Sequence, residues 1–133
     1  MKQFLAEAGI GPQEYFLRDG SGLSRMNLVT PAAIVTLLAY MWQSPHRADW
    51  LDTLPVAGFD GTLRSRLVGT PAAEQLRGKT GSLSHVAALS GYLLPTDGRH
   101  LAFAVLVNNF NAESGPFRTL IDRLCAEILQ GGS

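Results

Sequence analysis

Lysine is nearly absent from this chain: Lys2 and Lys79 are the only two among 133 residues. Cysteine is rarer still, with Cys125 alone, so no internal disulfide can form. Cys125 lies in an apolar helical pattern and reads as a small core residue, which leaves the redox compartment open. Basic and acidic side chains number 11 each, so the formal net charge is zero and no basic face suggests nucleic acid. Aromatics are 8% of the residues and are not interleaved with Lys or Arg. No apolar run approaches the ~18 residues of a membrane-spanning helix. Met1-Lys2-Gln3-Phe4-Leu5-Ala6-Glu7 brings an acid too early, and too short an apolar stretch, for a signal peptide. The three histidines, His46, His85 and His100, are scattered and read as surface or turn residues. With one cysteine beside them, no metal site and no cofactor is expected.

What is present is a chain that is 46% apolar, enough for a real core. Residues 2–9 read as a short helix stopped by Gly9 and Gly11-Pro12. Tyr15 to Arg18 is a short strand or extended segment, followed by the dense turn signal Asp19-Gly20-Ser21-Gly22. Thr30 is a good helix N-cap and Pro31 suits the first turn. Ile34, Leu37, Leu38 and Met41 recur at helical spacing, so 31–43 reads as a largely buried helix ended by Ser44-Pro45. His46 to Asp52 adds a short helix with Trp50 and Leu51 inward. Pro55 to Gly61 is a loop, and Thr62 to Leu67 gives one or two helical turns.

From Leu76 the period changes. Leu76–Leu83, Val86–Leu94 and Leu101–Asn109 read as three strands. Ser84-His85 joins the first pair very tightly, and Pro95-Thr96-Asp97-Gly98 joins the second. Gly115-Pro116 opens a last helix with Phe117, Leu120, Ile121, Leu124 and Ile128 on one face. The pattern is α+β: an antiparallel three-stranded meander packed against helices. Three strands are few for this length and would sit better within a larger sheet.

Lys79 lies between two glycines' worth of backbone freedom, in Gly78-Lys79-Thr80-Gly81-Ser82-Leu83, where it can bind an anion. A phosphate loop is excluded, since Ala73 stands where its first glycine belongs and strand-like sequence follows the lysine. Gly-x-Ser-x-Gly is absent as well. The pattern that survives is Lys-Thr-Gly on a strand, a signature of serine enzymes that recognise penicillin. The chemistry is coherent. An ammonium on an edge strand pairs with a peptide's terminal carboxylate, Thr80 adds a hydroxyl, Gly81 permits close approach, and strand N–H groups can face an oxyanion. A bare Lys-Thr-Gly is also what an exposed lysine in a turn looks like.

Three segments extend the match. Asp19-Gly20-Ser21-Gly22-Leu23-Ser24-Arg25-Met26-Asn27-Leu28-Val29-Thr30-Pro31, then Leu54-Pro55-Val56-Ala57-Gly58-Phe59-Asp60-Gly61-Thr62-Leu63, then Gly78 to Leu83 closely resemble successive segments of one family. These are the class C low-molecular-mass penicillin-binding proteins, D-alanyl-D-alanine carboxypeptidases/endopeptidases of the DacB type. The matches keep the family's order and span most of residues 15–94. The resemblance implies the C-terminal part of a penicillin-binding, transpeptidase-like (β-lactamase-like) domain. It also implies that Lys79, Thr80 and Gly81 bind substrate, with Lys79 and Thr80 on its carboxylate, and that the Ser82 N–H forms half an oxyanion hole. Arg25 and Ser84 would hold the free end of the diaminopimelate side chain; a loop-stabilising ion pair is the plainer role for Arg25. Partners would be the peptidoglycan stem peptide and β-lactams, in the periplasm or cell envelope.

The family's nucleophile pair, Ser-x-x-Lys, has no counterpart, since Leu76 lies three before Lys79 and nothing lies three before Lys2. Ser-x-Asn is missing too: Ser24 and Asn27 are three apart, and Ser21 and Ser24 read as turn and loop residues. No catalytic nucleophile or base is therefore expected within residues 1–133. The expected reading is one incomplete domain whose serine portion lies upstream, inactive alone, with a sheet edge open to pairing with another chain. Two other readings are a non-catalytic module that binds peptidoglycan stems and a β-lactamase; the Ser-Gly-Leu-Ser-Arg segment does not point to the latter.

Overall fold

A computed structural model describes residues 1–131. The element order is α1 (Lys2–Glu7), β1 (Tyr15–Phe16), β2 (Leu28–Val29), α2 (Pro31–Gln43), α3 (Arg47–Asp52), a 3-10 turn (Gly61–Leu63), β3 (Leu76–Leu83), β4 (Val86–Leu93), β5 (Leu101–Asn108) and α4 (Gly115–Gln130). The α+β expectation holds.

The three long strands form an antiparallel meander in the order β3-β4-β5. Register follows from the two-residue turn at Ser84-His85, which sets Leu83 opposite Val86 and Lys79 opposite Ser90. His85 takes a left-handed φ of 62° and is held there twice. Its carbonyl accepts from the Asn109 N–H at 2.8 Å, and its Nδ1 lies 2.8 Å from the Phe110 carbonyl. A carbonyl only accepts, so Nδ1 carries the proton.

Alternation divides the sheet between two layers. Leu76, Ala87, Leu89 and Leu93 pack with Ile121 and Cys125 of α4, backed by Phe103, Val105 and Val107. Each fully buried Leu there contributes about 1.5–3 kcal/mol of transfer free energy. Tyr92 and Ala102 point to the opposite face, against Leu38 and Trp42 of α2 and Trp50 of α3. Lys79 shares this second face by register, since it lies opposite Ser90 and two residues from Arg77, the partner of Tyr92.

α2 begins as its sequence dictates: the Thr30 hydroxyl accepts the Ala33 N–H at 3.0 Å, with Pro31 in the first turn. It is less buried than its periodicity implies. Ala33 and Leu38 are buried, while Ile34, Leu37 and Met41 remain partly exposed, because only one side of the helix meets the sheet. The helical turn expected within Thr62 to Leu67 is a three-residue 3-10 turn, Gly61–Leu63, and Leu67 at φ 61° and Gly69 at φ 72° bar any helix from running on beyond it. β2 has no counterpart in the sequence reading. It pairs antiparallel with β1, Tyr15 opposite Val29 and Phe16 opposite Leu28, and closes the segment 15–29 into a loop-bearing hairpin. Among the described residues, no strand lies on the outer side of β5.

Candidate functional site

Which groups β3 offers to a ligand is decided by its pairing. Successive residues of a strand turn their N–H and C=O to alternate sides. The Gly78 N–H donates to the Pro55 carbonyl at 3.0 Å, and the Leu76 carbonyl accepts from the Ala57 N–H at 2.9 Å. Leu76 and Gly78 thus face away from β4 and are covered by the segment 55–57. By the same alternation Thr80 and Ser82 also face away from β4. Among the described residues, no backbone partner covers them. The edge of β3 is therefore closed as far as Gly78 and open at Thr80 and Ser82.

The side chains at this open edge start on opposite faces of the sheet. Thr80 shares the α4 face with Leu76, and its hydroxyl lies 3.1 Å from the Thr62 hydroxyl. Lys79 begins on the other face and bends to the rim, where its Nζ donates to the outward carbonyl of Thr80 at 2.6 Å. The ammonium is exposed and has no carboxylate partner among the described residues. In open water an exposed ammonium–carboxylate pair gives only ~0–1 kcal/mol, so an ammonium in this position binds an anion tightly only when the edge is covered.

Gly81 is exposed, and a Cβ built on it would meet Ala88 Cβ at 3.3 Å, on the Lys79 face. The glycine keeps that face low beside the ammonium. Behind the lysine, β3 and β4 approach unusually closely where Gly78 lies opposite Gly91. Gly91 has φ 157°, and a Cβ on it would lie 2.6 Å from Gly78 Cα. Only glycines fit both positions.

The end of the strand meets the loop of residues 17–27. Arg25 reaches across 59 positions and donates from Nη2 to the Ser84 carbonyl at 3.0 Å. The two sequence-derived residues are thus brought together, through the Ser84 backbone, beside a pocket of about 300 Å³ lined in part by Leu83, Val86, Leu106 and Asn108. The plainer role for Arg25 does not hold as stated, since it forms a hydrogen bond to a backbone carbonyl and no ion pair among the described residues.

The loop carrying Arg25 is self-organised. Asn27 Oδ1 accepts the N–H groups of Arg18 at 2.7 Å and Asp19 at 3.3 Å. The Ser21 hydroxyl donates to Asp19 Oδ1 at 2.8 Å and accepts from the Leu23 N–H at 3.1 Å. Ser21's hydroxyl first, then its N–H, hold the Asp19 carboxyl below its ordinary range. Ser24 Oγ accepts from the Met26 N–H at 3.2 Å. Both serines serve as turn residues, in line with the sequence reading. The residues that sequence reasoning missed are Asn27, which staples this loop, and Thr62; an Asn after a turn cluster is a weak signal for the first.

The profile of the D-Ala-D-Ala carboxypeptidase 3 (S13) family matches residues 1–127. A D-alanyl-D-alanine carboxypeptidase of Actinomadura sp. (strain R39) is 42% identical over 121 residues, covering 87% of this chain and 22% of that protein. The D-alanyl-D-alanine carboxypeptidase DacB of Haemophilus influenzae is 35% identical over 113 residues, covering 84% of this chain and 24% of that protein. The chain thus spans about a quarter of the length of these curated relatives. The crystal structure of penicillin binding protein 4 (dacB) from Haemophilus influenzae superposes with a TM-score of 0.84 at 31% identity, over 96% of this chain and 30% of that one. Bd3459, a predatory endopeptidase from Bdellovibrio bacteriovorus, shares the fold with a TM-score of 0.83 at 19% identity.

Proposed function

Because the chain belongs to the D-Ala-D-Ala carboxypeptidase 3 (S13) family, we propose that it is the C-terminal portion of one transpeptidase-like domain of such an enzyme. The parent would be a serine-type carboxypeptidase/endopeptidase of the cell envelope that cleaves peptidoglycan peptides through an acyl-enzyme and is acylated by penicillin. The present chain supplies the wall against which the substrate lies. Lys79 and Thr80 hold its terminal carboxylate at the rim. The outward Thr80 and Ser82 groups pair with its backbone as an added strand, and the Ser82 N–H faces the oxyanion. Arg25 and Ser84 line the subsite for the free end of the stem side chain.

One observation carries this reading. The β3 edge is closed to Gly78 and open at Thr80 and Ser82, with Lys79 folded onto the opening. Two outward backbone sites beside an ammonium without a carboxylate partner are what an added peptide strand ending in a carboxylate requires. Neither lysine has a serine three residues before it, so the nucleophile comes from elsewhere in the parent. The bare outer side of β5 is where further strands of the sheet would add, or where a second chain would pair.

Labelling by a fluorescent penicillin tests the proposal. The 133-residue chain alone should take up no label, the longer enzyme should be labelled, and Lys79→Ala in it should slow labelling at least ~100-fold, as loss of an oriented charge contact does. Label on the isolated chain would overturn the absence of the nucleophile. Stem-peptide binding by the longer protein without any labelling would favour a non-catalytic module instead.

A further inference from the structure

The hydroxyl of Thr80 has a partner whose purpose the fold does not explain. Thr62 is exposed, on a three-residue turn, and its Oγ1 lies 3.1 Å from Thr80 Oγ1. Nothing about packing requires a threonine there. Its neighbour Leu63, by contrast, is fully buried and anchors the turn. The position of Thr62 is nonetheless tightly determined. Asp60 Oδ1 accepts the Val56 N–H at 2.7 Å, the Gly58 N–H donates to the Leu63 carbonyl at 3.0 Å, and Gly61 at φ 51° lies against Pro55, where a Cβ would come within 2.9 Å of Cγ. The same loop covers β3 through Pro55 and Ala57. One folded segment therefore closes the edge up to Gly78 and delivers a hydroxyl to the first open residue.

We propose that Thr62 is a positioning residue that orients the Thr80 hydroxyl toward the substrate carboxylate. The inference rests on the reading of Thr80 as a carboxylate-binding group. A hydroxyl has one proton to give and lone pairs to receive. When Thr80 gives its proton to a carboxylate oxygen, its own oxygen becomes an acceptor. Thr62 then turns its proton onto that oxygen. The chain Thr62 O–H to Thr80 O–H to carboxylate polarises in one direction and strengthens both bonds. Without a donor at 62, the Thr80 hydroxyl is free to rotate onto other acceptors and loses its aim.

The test uses the longer enzyme and two peptide substrates, one ending in D-Ala-D-Ala with a free carboxylate and one with that terminus amidated. Thr62→Val should lower kcat/KM for the acid about 5- to 10-fold, the loss expected of one hydrogen bond. The amide should change little, thermal stability should not move, and Thr62→Ser should restore the acid rate. Thr62→Val added to Thr80→Val should cost nothing more, because both act through one proton. Equal losses on acid and amide, or full activity of Thr62→Val beside an impaired Thr80→Val, would overturn the proposal. If Thr80→Val still discriminated between acid and amide as well as the unsubstituted enzyme does, the carboxylate reading would fall with it.

Discussion

Replacing Tyr92 by Phe removes one oxygen from the place where the sheet, α2 and α3 meet. Tyr92 is 1% exposed. Its hydroxyl donates to the Leu38 carbonyl at 2.7 Å and accepts from Trp50 Nε1 at 2.9 Å. The ring stays in place, packed 5.3 Å from Trp42 between centroids, so no cavity forms. The cost is that of stranding the two partners. The Leu38 carbonyl lies within α2 and keeps the helix ladder, and the Trp50 N–H is only part-buried. The loss should therefore fall at about 1–2 kcal/mol, below the full penalty for two buried orphans. For a chain of this size that lowers Tm by roughly 3–8 °C. The pH response adds a second check. Burial first, only partly offset by the Trp50 bond, raises the phenol above its ordinary value. The unfolded chain thus ionises at lower pH than the folded one. Stability from this group is complete below the ordinary phenol range and is lost as pH rises toward the folded value. Tyr92→Phe should be destabilised at pH 7 yet lose less than the parent on going to alkaline pH. Denaturant titration at several pH values reads both effects. A variant as stable as the parent at pH 7, or with an unchanged alkaline loss, would refute the reasoning.

Three other outcomes follow from the same structure. Gly91→Ala should cost about 3 kcal/mol or more, because its Cβ would sit 2.6 Å from Gly78 Cα. Gly98→Ala, with φ 85° and open space around it, should cost only the ~1–2 kcal/mol of left-handed backbone; equal losses in denaturant titrations would contradict the close approach. Burial, and after it the charge of Asp122, push the Cys125 thiol up to about 11. Alkylation by iodoacetamide at pH 8 should then track unfolding, and rapid labelling of the folded chain would count against that burial.

The sequence made the Lys-Thr-Gly strand, its tight turn and the capped start of α2 legible, because each rests on local chemistry. Periodicity separates β3, β4 and β5 from the helices, and Thr30-Pro31 specifies a helix start without any tertiary help. The misses share a different cause. β2 is a two-residue pairing with no period to detect, and it exists because Asn27 folds the preceding loop back on itself. The partial exposure of Ile34, Leu37 and Met41 depends on what covers α2, which apolar spacing alone does not reveal. The Thr62–Thr80 contact joins residues 18 positions apart through a loop whose path depends on Asp60. The closure of the β3 edge at Gly78 rests on that same loop, so the site's extent was hidden even where its residues were visible.

Amide exchange along β3 in the longer enzyme, before and after acylation by penicillin, tests the central claim most directly. The open-edge account predicts that the Thr80 and Ser82 N–H groups exchange at least ~100-fold faster than those of Gly78, Lys79 and Gly81 in the free enzyme. On acylation Thr80 and Ser82 should become protected while the other three do not change. Protection of Thr80 and Ser82 already in the free enzyme, or no change at either on acylation, would contradict the claim that this edge is the substrate's wall.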